Sequence, residues 1–207
     1  MKLYVSNKKE TPRMFQNNAL EFFSHVHWTV PLIIFIPVNA AFLYFGTVNF
    51  SVPFNTVIAL FVLGMFVWTF TEYVLHRFVF HYHAKHEWSR KLFWSFHGVH
   101  HDYPSDPLRL VMVPSVSIPL AATFYFLFVF IMGWVYAAAF TPGFLTAYLF
   151  YDMTHYAVHH FPIKGPLFGY LRTYHMRHHY NAPDLGYGVS SPLWDVVFRT
   201  TFHKITR

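Results

Sequence analysis

Long uncharged runs alternate with shorter polar segments along the chain, and their lengths predict membrane-spanning helices. Residues 26–45 contain no formally charged side chain and are about as long as a helix that crosses a bilayer. Residues 52–71 form a second uncharged run of similar length. Only a short stretch with Gly, Thr, Asn and Ser separates the two runs, so together they predict a helical hairpin.

A third uncharged run is much longer, from residue 110 to residue 151. A helix rises about 1.5 Å per residue, so a run of this length must turn back rather than cross a bilayer once. Thr141-Pro142-Gly143 is the predicted turn, because Thr can cap a helix that has Pro at its first position. The last span would then lead into the sequence YDMTHYAVHHF.

The basic residues give an independent test of this map, because lysine and arginine accumulate in cytoplasmic segments. All 15 lie within 1–24, 76–109 or 160–207, and none lies in a predicted far-side turn. The predicted fold is therefore an all-α integral membrane protein, with four transmembrane helices arranged as two hairpins that enter from the cytoplasm. Residues 1–24 are predicted to be a polar cytoplasmic segment, followed by a membrane domain over residues 25–207.

The composition agrees with a body solvated by lipid, since 22% of the residues are aromatic and only 12% are charged. The net charge of +6 raises the question of nucleic-acid binding. No zinc-finger spacing, basic helix or aromatic RNA-binding motif accompanies that charge, so no nucleic-acid partner is expected. There is no cysteine, which excludes disulfides, thiolate metal sites and cysteine nucleophiles.

Ten of the sixteen histidines fall into four clusters, each at or just beyond the cytoplasmic end of a predicted span. Two clusters have the form HxxHH, in which a first histidine and those three and four later share one helix face. Each such cluster is expected to direct three imidazoles towards one point. The ten are His76 and His81, then His97, His100 and His101, then His155 and His159, and finally His175, His178 and His179.

Ten imidazoles exceed the four ligands of a structural zinc site and the six of one octahedral ion, so they predict two metal ions. Ligation by nitrogen without thiolate suits iron, and a pair of irons can supply electrons for the cleavage of dioxygen. Zinc would bind the same ligands but has no redox chemistry. The clusters therefore predict a histidine-rich dimetal cap on the cytoplasmic surface.

Other polar residues near the clusters have weaker signals. Glu72, Asp152 and Asp102 are predicted to orient the ligating imidazoles by accepting their second N–H, although Asp102 also suits the start of a turn. Histidines next to the clusters are expected to be solvated or to lie outside the ligand sets, and those at the mouth of the first span or near the C-terminus to be structural. The former are His83, His86 and His160, and the latter are His25, His27 and His203.

The chain resembles the fatty acid hydroxylase superfamily of histidine-ligated di-iron membrane enzymes, and most closely the fatty acid 2-hydroxylases of sphingolipid synthesis. The resemblance covers about residues 60 to 202. It rests on HRFVFH, on FHGVHHDYPSDPLRLVMVP, and on YHMRHHY followed by LGYGVSSPLWDVVFRT. The superfamily's histidine series is matched by the same ten residues, which the resemblance therefore implies as the metal ligands.

The resemblance implies an O2-dependent monooxygenase that hydroxylates C2 of a long fatty acyl chain, free or in a ceramide-like lipid, drawn from the bilayer. It implies two irons in the active enzyme, with zinc a candidate in a purified sample. Many eukaryotic members carry an N-terminal cytochrome b5 domain, and residues 1–24 cannot form one. Electrons are therefore expected from a separate cytochrome b5-like protein or ferredoxin. With no ER-retention tail either, a bacterial inner membrane is favoured over the ER.

Candidate contacts to the lipid head group are Tyr103, Arg109, Tyr174 and Tyr187, from loops beside the histidines. Two alternatives to a 2-hydroxylase stay open. The same histidine pattern serves sterol oxidases, lipid desaturases and carotenoid hydroxylases. A histidine-rich metal-binding or transport protein is the other alternative, but transport predicts ligands near mid-membrane on broken helices, whereas these gather at one face.

Overall fold

The computed structural model describes residues 3–202, and every regular element within them is a helix. Three of the helices change into a wider π-helical turn at their C-terminal ends, at Phe45–Asn49, Leu75–Phe80 and Trp94–Gly98. His203 lies outside the described residues. The α-helices are α1 Asn18–Phe23, α2 Val30–Tyr44, α3 Phe54–Val74, α4 Glu87–Phe93, α5 Val99–Asp102, α6 Pro114–His160, α7 Pro166–Tyr180 and α8 Leu193–Val197.

Three helical segments are long and apolar enough to cross a membrane, namely Val30–Asn49, Phe54–Phe80 and Pro114–His160. Most of each segment faces outwards, and large apolar side chains such as Ile33 and Phe130 are well exposed there. An apolar exterior of this extent is unfavourable in water and favourable in lipid. The chain therefore has the helices of a membrane protein.

Helix α6 reverses direction at Gly133 and so forms the second hairpin. Gly133 has φ of 76°, which L side chains rarely adopt. The residues on either side of it then pair in antiparallel order. The rings of Phe128 and Phe140 are 4.7 Å apart, and those of Phe124 and Phe144 are 5.1 Å apart. The predicted reversal within the long uncharged run therefore exists.

The predicted position of that reversal, Thr141-Pro142-Gly143, was wrong. These residues are buried within the second limb of α6, which packs along α3. A Cβ added to Gly143 would overlap the carbonyl oxygen of Phe61, and one added to Gly64 would overlap the carbonyl oxygen of Phe140. Gly64 and Gly143 therefore allow the backbones of α3 and α6 to approach closely, and Gly143 does not form a turn.

The core of the helical body is aromatic and lies where α2, α3 and α6 meet. The ring of Trp68 on α3 packs edge-on against Phe144 and Tyr148 of α6, at 5.1 and 5.2 Å. Phe35 on α2 packs against Tyr148 at 5.3 Å. Edge-to-face contacts of this kind stabilise helix pairing where lipid removes the usual hydrophobic driving force. They hold the histidine-bearing helix ends in a fixed arrangement.

Residues 5–24, which we call the N-terminal strap, pack along the loop after α5 instead of standing apart from it. The backbone N–H groups of Val5 and Ser6 both donate to the carbonyl oxygen of Asp102, at 2.9 and 3.1 Å. The Thr11 hydroxyl donates to the Asp106 carboxylate at 2.7 Å. No sequence pattern predicted this association, because the strap has no apolar periodicity of its own.

Candidate metal centre

The ten predicted histidines come together in two groups of five at one end of the helical body. Within each group one ring nitrogen of every histidine lies within 4.8 Å of the others. Most of the side chains are buried, and the rest are half-buried. The first group is His76, His81, His97, His101 and His178, and the second is His100, His155, His159, His175 and His179.

The expectation that each HxxHH cluster serves one point was wrong, because both clusters divide between the groups. His97 and His101 belong to the first group while His100 belongs to the second, and the cluster that ends at His179 divides in the opposite sense. Successive residues of a helix are rotated by about 100°, so positions i and i+4 differ by only about 40°. Positions i+3 and i+4 differ by about 100° and can face two different ions. Each cluster therefore contributes to both sites.

A π-helical turn explains how His76 and His81 reach the same group. In a regular α-helix residues five apart point about 140° away from each other. Here the His81 N–H donates to the His76 carbonyl oxygen at 3.1 Å, which is the i to i+5 bond of a π-turn. The wider turn brings the two imidazoles to one side. The HxxxxH spacing was the only sequence signal of this distortion.

The distances between ring nitrogens fit ligands that share an ion. His76 and His97 have Nε2 atoms 3.1 Å apart, and so do His97 and His101. In the second group His175 and His179 have Nε2 atoms 3.0 Å apart. Two ligands about 2.1 Å from one ion and at right angles would be about 3.0 Å apart. Both groups therefore fit a metal ion with several imidazole ligands.

Hydrogen bonds on the opposite ring nitrogen fix the tautomers of two histidines in the first group. His76 Nδ1–H donates to the carbonyl oxygen of Tyr187 at 2.5 Å, and His178 Nδ1–H donates to that of Leu185 at 2.8 Å. A carbonyl oxygen can only accept, so Nδ1 carries the proton and Nε2 presents a lone pair to the group. Lone pairs that converge in this way need a cation between them.

Burial keeps the ligating histidines of the loop and of α7 neutral. It holds the pKa of His97, His100 and His101 well below the usual value, and neighbouring histidines lower it further. Burial, and then His81, lower the pKa of His178 to about 3. A metal ion binds only the neutral imidazole. The site therefore offers unprotonated ligands at neutral pH.

Glu72 supports the site through a loop and not by direct contact with an imidazole. Its carboxylate accepts the backbone N–H groups of Val189 and Ser190 at 2.7 and 2.9 Å, and also the Ser190 hydroxyl. Residues 185–190, here called the carbonyl loop, carry the carbonyl groups that accept from His76 and His178. Glu72 therefore fixes the loop that fixes the tautomers.

Asp195 also fixes the carbonyl loop, although no role was predicted for it from the sequence. Its two carboxylate oxygens accept the N–H groups of Tyr187 and Gly188 at 2.9 and 2.8 Å, and the Thr200 hydroxyl donates to it at 2.7 Å. An aspartate in the first turn of α8, in the sequence VSSPLWD, was the only signal.

The other two carboxylates predicted to orient imidazoles have different partners among the described residues. Asp102 accepts from Trp94 Nε1 at 2.7 Å, and its carbonyl oxygen binds the N-terminal strap. Asp152 lies beside the Tyr148 hydroxyl, and its Oδ2 is buried without a hydrogen-bond partner. Asp152 also lines the cavity described next. Within residues 3–202, neither carboxylate has a hydrogen bond with an imidazole.

A cavity of about 340 Å³ reaches the two groups of histidines. His97, His100 and His155 form part of its wall, and most of the remainder is apolar. Side chains from the start of α6, such as Val116 and Leu120, form one side. A cavity of this size and lining is suited to the reacting end of an apolar ligand.

Of the four residues predicted to contact a head group, only Arg109 lines this cavity. Tyr187 lies behind the site with its ring against the first group, and Tyr174 packs on Phe202. Tyr103 ends α5, where its carbonyl oxygen accepts the Asp106 N–H at 3.0 Å. The three tyrosines therefore pack elsewhere and do not line the cavity.

Histidines outside the two groups lie where solvated or structural roles were expected. His83 and His86 are exposed, and His160 packs on the Tyr156 ring. His25 lies within 2.7 Å of an Arg109 nitrogen, and His27 contacts the Thr29 hydroxyl at 2.8 Å. None of these five histidines belongs to either group.

The comparison with protein families matches the fatty acid hydroxylase model over residues 61–200, and the chain belongs to this family. The dihydroceramide fatty acyl 2-hydroxylase FAH1 of Arabidopsis thaliana is 39% identical, over 93% of this chain and 81% of that protein. The fatty acid 2-hydroxylase of Rattus norvegicus is 33% identical, over 91% of this chain and 56% of that protein. Both relatives are named as 2-hydroxylases.

A solved structure has the same fold. The hydroxylase domain of full-length scs7p superposes with a TM-score of 0.84 at 35% identity, covering 89% of this chain and 70% of that one. The ceramide very long chain fatty acid hydroxylase scs7 of Schizosaccharomyces pombe is 36% identical over 88% of this chain and 53% of that protein. The all-helical architecture is therefore the architecture of a hydroxylase domain.

Proposed function

We propose that this protein is a membrane-embedded dimetal oxygenase that hydroxylates C2 of a long acyl chain, as a free fatty acid or within a ceramide-like lipid. The observation that carries the proposal is the pair of five-histidine groups opening on one apolar cavity through His97, His100 and His155. The names of the relatives supply the position of the hydroxyl group.

The two groups of five histidines would each hold one metal ion, and iron is the proposed metal of the active enzyme. A pair of irons supplies the redox chemistry that O2 activation requires, which zinc lacks. The role of the protein is to keep the ligating imidazoles neutral and to orient them. Glu72 and Asp195 contribute by fixing the carbonyl loop, and Arg109 is the remaining candidate for contact with the lipid's polar end.

The reaction replaces a C–H bond at C2 by C–OH and reduces the second oxygen atom of O2 to water. The C–H bond provides two electrons, so two further electrons and two protons must come from outside. We assign the electrons to a separate carrier protein of the cytochrome b5 or ferredoxin class. Exposed basic side chains near the histidines, among them Lys85, Arg90 and Arg177, would suit an acidic carrier.

The helical body would place the substrate in the required orientation. We assign four membrane crossings, with the reversal at Gly133 on the far side and the histidines on the cytoplasmic side, where the basic residues gather. An acyl tail can then remain among apolar helices while its polar end stays near the surface. C2 is one bond from the carbonyl carbon, so it lies close to the histidines in this arrangement.

Expression of the wild type and of His100→Ala in a host that makes the candidate lipids tests the proposal. Total lipid is hydrolysed, and hydroxyl groups on the acyl chains are located by fragmentation mass spectrometry. We expect 2-hydroxy acids with the wild type and none above background with the variant. His27→Ala is the control, because His27 is exposed and lies outside both groups.

Other outcomes contradict specific parts of the proposal. Hydroxyl groups at other carbons, or new double bonds, would retain the oxygenase and discard C2 as its position. With metal loading and electron supply verified, unchanged lipids would discard acyl chains as the substrate.

A further inference from the structure

The N-terminal strap forms part of the cavity wall, although it lies outside residues 61–200 that match the family model. Four of its apolar side chains line the cavity: Met14, Phe15, Leu20 and Phe23. Met14 and Phe15 are half-buried, whereas Leu20 and Phe23 are largely exposed at the rim. The inner part of this wall is therefore made by two consecutive residues.

A buried ion pair sets the position of that wall. Arg109 Nη2 donates to Glu21 Oε1 at 2.7 Å, and the side chains of the pair are only 3% and 13% exposed. The other guanidinium nitrogen, Nη1, donates to the carbonyl oxygen of Pro12. Charge-assisted hydrogen bonds in a partly dry site are strong and directional. They hold both ends of the segment that carries Met14 and Phe15.

The second oxygen of Glu21 binds the two wall residues directly. The backbone N–H groups of Met14 and Phe15 donate to Glu21 Oε2 at 3.0 and 2.9 Å. These bonds fix the backbone at the two positions, so their side chains enter the cavity from a rigid base. A rigid apolar wall discriminates between ligands by shape better than a mobile loop does.

The wall of the cavity includes His97, His100 and His155. The reacting end of a substrate, with C2, must therefore lie inside the cavity. On the basis of the proposed function, we infer that Met14 and Phe15 are specificity-determining residues that limit the bulk an acyl lipid can carry beside C2. Phe15 has the larger side chain and should contribute more.

A competition between two substrates tests this inference. The metal-loaded enzyme in lipid vesicles receives equal amounts of straight hexadecanoic acid and its 3-methyl-branched analogue, with the electron donor supplied. We expect Phe15→Ala to raise the ratio of branched to straight 2-hydroxy product by about tenfold, since the fit of one or two carbon groups in an apolar pocket is worth that much. Met14→Ala should raise it less.

Phe22→Ala is the matched control, because Phe22 lies on the same strap, is 73% exposed and does not line the cavity. It should leave the ratio unchanged. An unchanged ratio in both Phe15→Ala and Met14→Ala, with metal content retained, would overturn the inference. An equal rise in Phe22→Ala would also overturn it, because the effect would then be one of general loosening.

Binding of the same two acids, measured by displacement of a fluorescent hexadecanoyl probe, separates this inference from the proposed function. If the wild type binds the acids but forms no 2-hydroxy product, the proposed function fails. The ratio of the two dissociation constants in Phe15→Ala would still decide the role of the wall. A second measurement on Phe15→Leu covers a failure of Phe15→Ala to fold, with a smaller shift in the same direction expected.

Discussion

The two groups of histidines have the same number of imidazoles but differ in what stands behind them. In the first group, backbone carbonyls of the carbonyl loop accept the second N–H of His76 and His178. In the second group, four Nδ1 atoms are buried without a hydrogen-bond partner within the described part of the chain. They belong to His100, His155, His175 and His179.

The two groups therefore differ in how their imidazoles are held in place. Hydrogen bonds to a fixed loop orient the first group, and Glu72 and Asp195 hold that loop. The second group has many contacts between rings, such as the edge-to-face contact of His155 and His175 at 4.7 Å, and His159 has a backbone hydrogen-bond partner at Pro104. It also contributes two of the three histidines in the cavity wall. The group that contributes more histidines to the cavity wall is thus the one with fewer fixed tautomers.

Removing one ligand from each group should have the largest effect. We expect His76→Ala and His100→Ala each to lower bound metal from about two ions to about one per chain. Activity should fall at least about 100-fold in both, because loss of a direct ligand exceeds the 10–100-fold effect of outer partners. Metal analysis and product formation are the measurements. His83→Ala, in an exposed residue outside both groups, should change neither, and loss of both ions from either variant would contradict two separable sites.

Glu72→Gln should weaken the first group selectively. The amide keeps the size of the side chain but cannot accept all three hydrogen bonds from Val189 and Ser190. In a His100→Ala background, where only the first group is intact, we expect metal affinity about 10-fold lower, measured by competition with a chelator. In a His76→Ala background the affinity should be unchanged, and an equal loss there would show that Glu72 acts on the whole cap. Glu87→Gln is the exposed control.

A substitution at the far end of the body should leave both groups intact. Gly133 has φ of 76°, and a Cβ there would meet no atom within 4 Å, so the cost of Gly133→Ala is backbone strain alone. We expect the free energy of unfolding to fall by about 1–3 kcal/mol. Metal content should stay the same. Gly169→Ala, in a helix with ordinary contacts, should show no such loss, and metal loss in Gly133→Ala would contradict the independence of the hairpin.

The smallest effect should be a pH dependence of how firmly the N-terminal strap is held. The strap lines the same cavity as His100 and His155 of the second group. Burial opposes ionisation of Glu21, but the N–H groups of Phe15 and Met14 and the Arg109 charge lower its pKa below 4.5. Its contribution is therefore complete above about pH 4.5 and is lost as the pH falls through the lowered value.

Hydrogen exchange at the Met14 and Phe15 amides measures this contribution. Glu21→Gln should exchange faster than the wild type at pH 7, and the difference should shrink at acid pH. Arg109, His25 and Asp106 also face this carboxylate or its partner. A difference that stays the same at acid pH would contradict a role for the Glu21 charge.

Much of the architecture could be predicted because it depends on consecutive residues. Charge-free runs identify helices for lipid, and the reversal in the third run follows from its length. The position of that reversal could not be read from Thr141-Pro142-Gly143, because a proline and a glycine serve equally in a turn or in a helix packed closely on another. Only the contact of Gly143 with the backbone of Phe61 distinguishes the two.

The candidate ligands, the end of the helices at which they lie and the family that the chain resembles could all be read from the sequence. Hydropathy and motif spacing are local properties, and they fix these features. Only the folded chain shows how the ten imidazoles divide, how a π-turn brings His76 and His81 to one side, and that the strap forms part of the cavity wall. These depend on side-chain directions and on contacts between distant segments, such as Glu21 with Arg109, which no local pattern encodes.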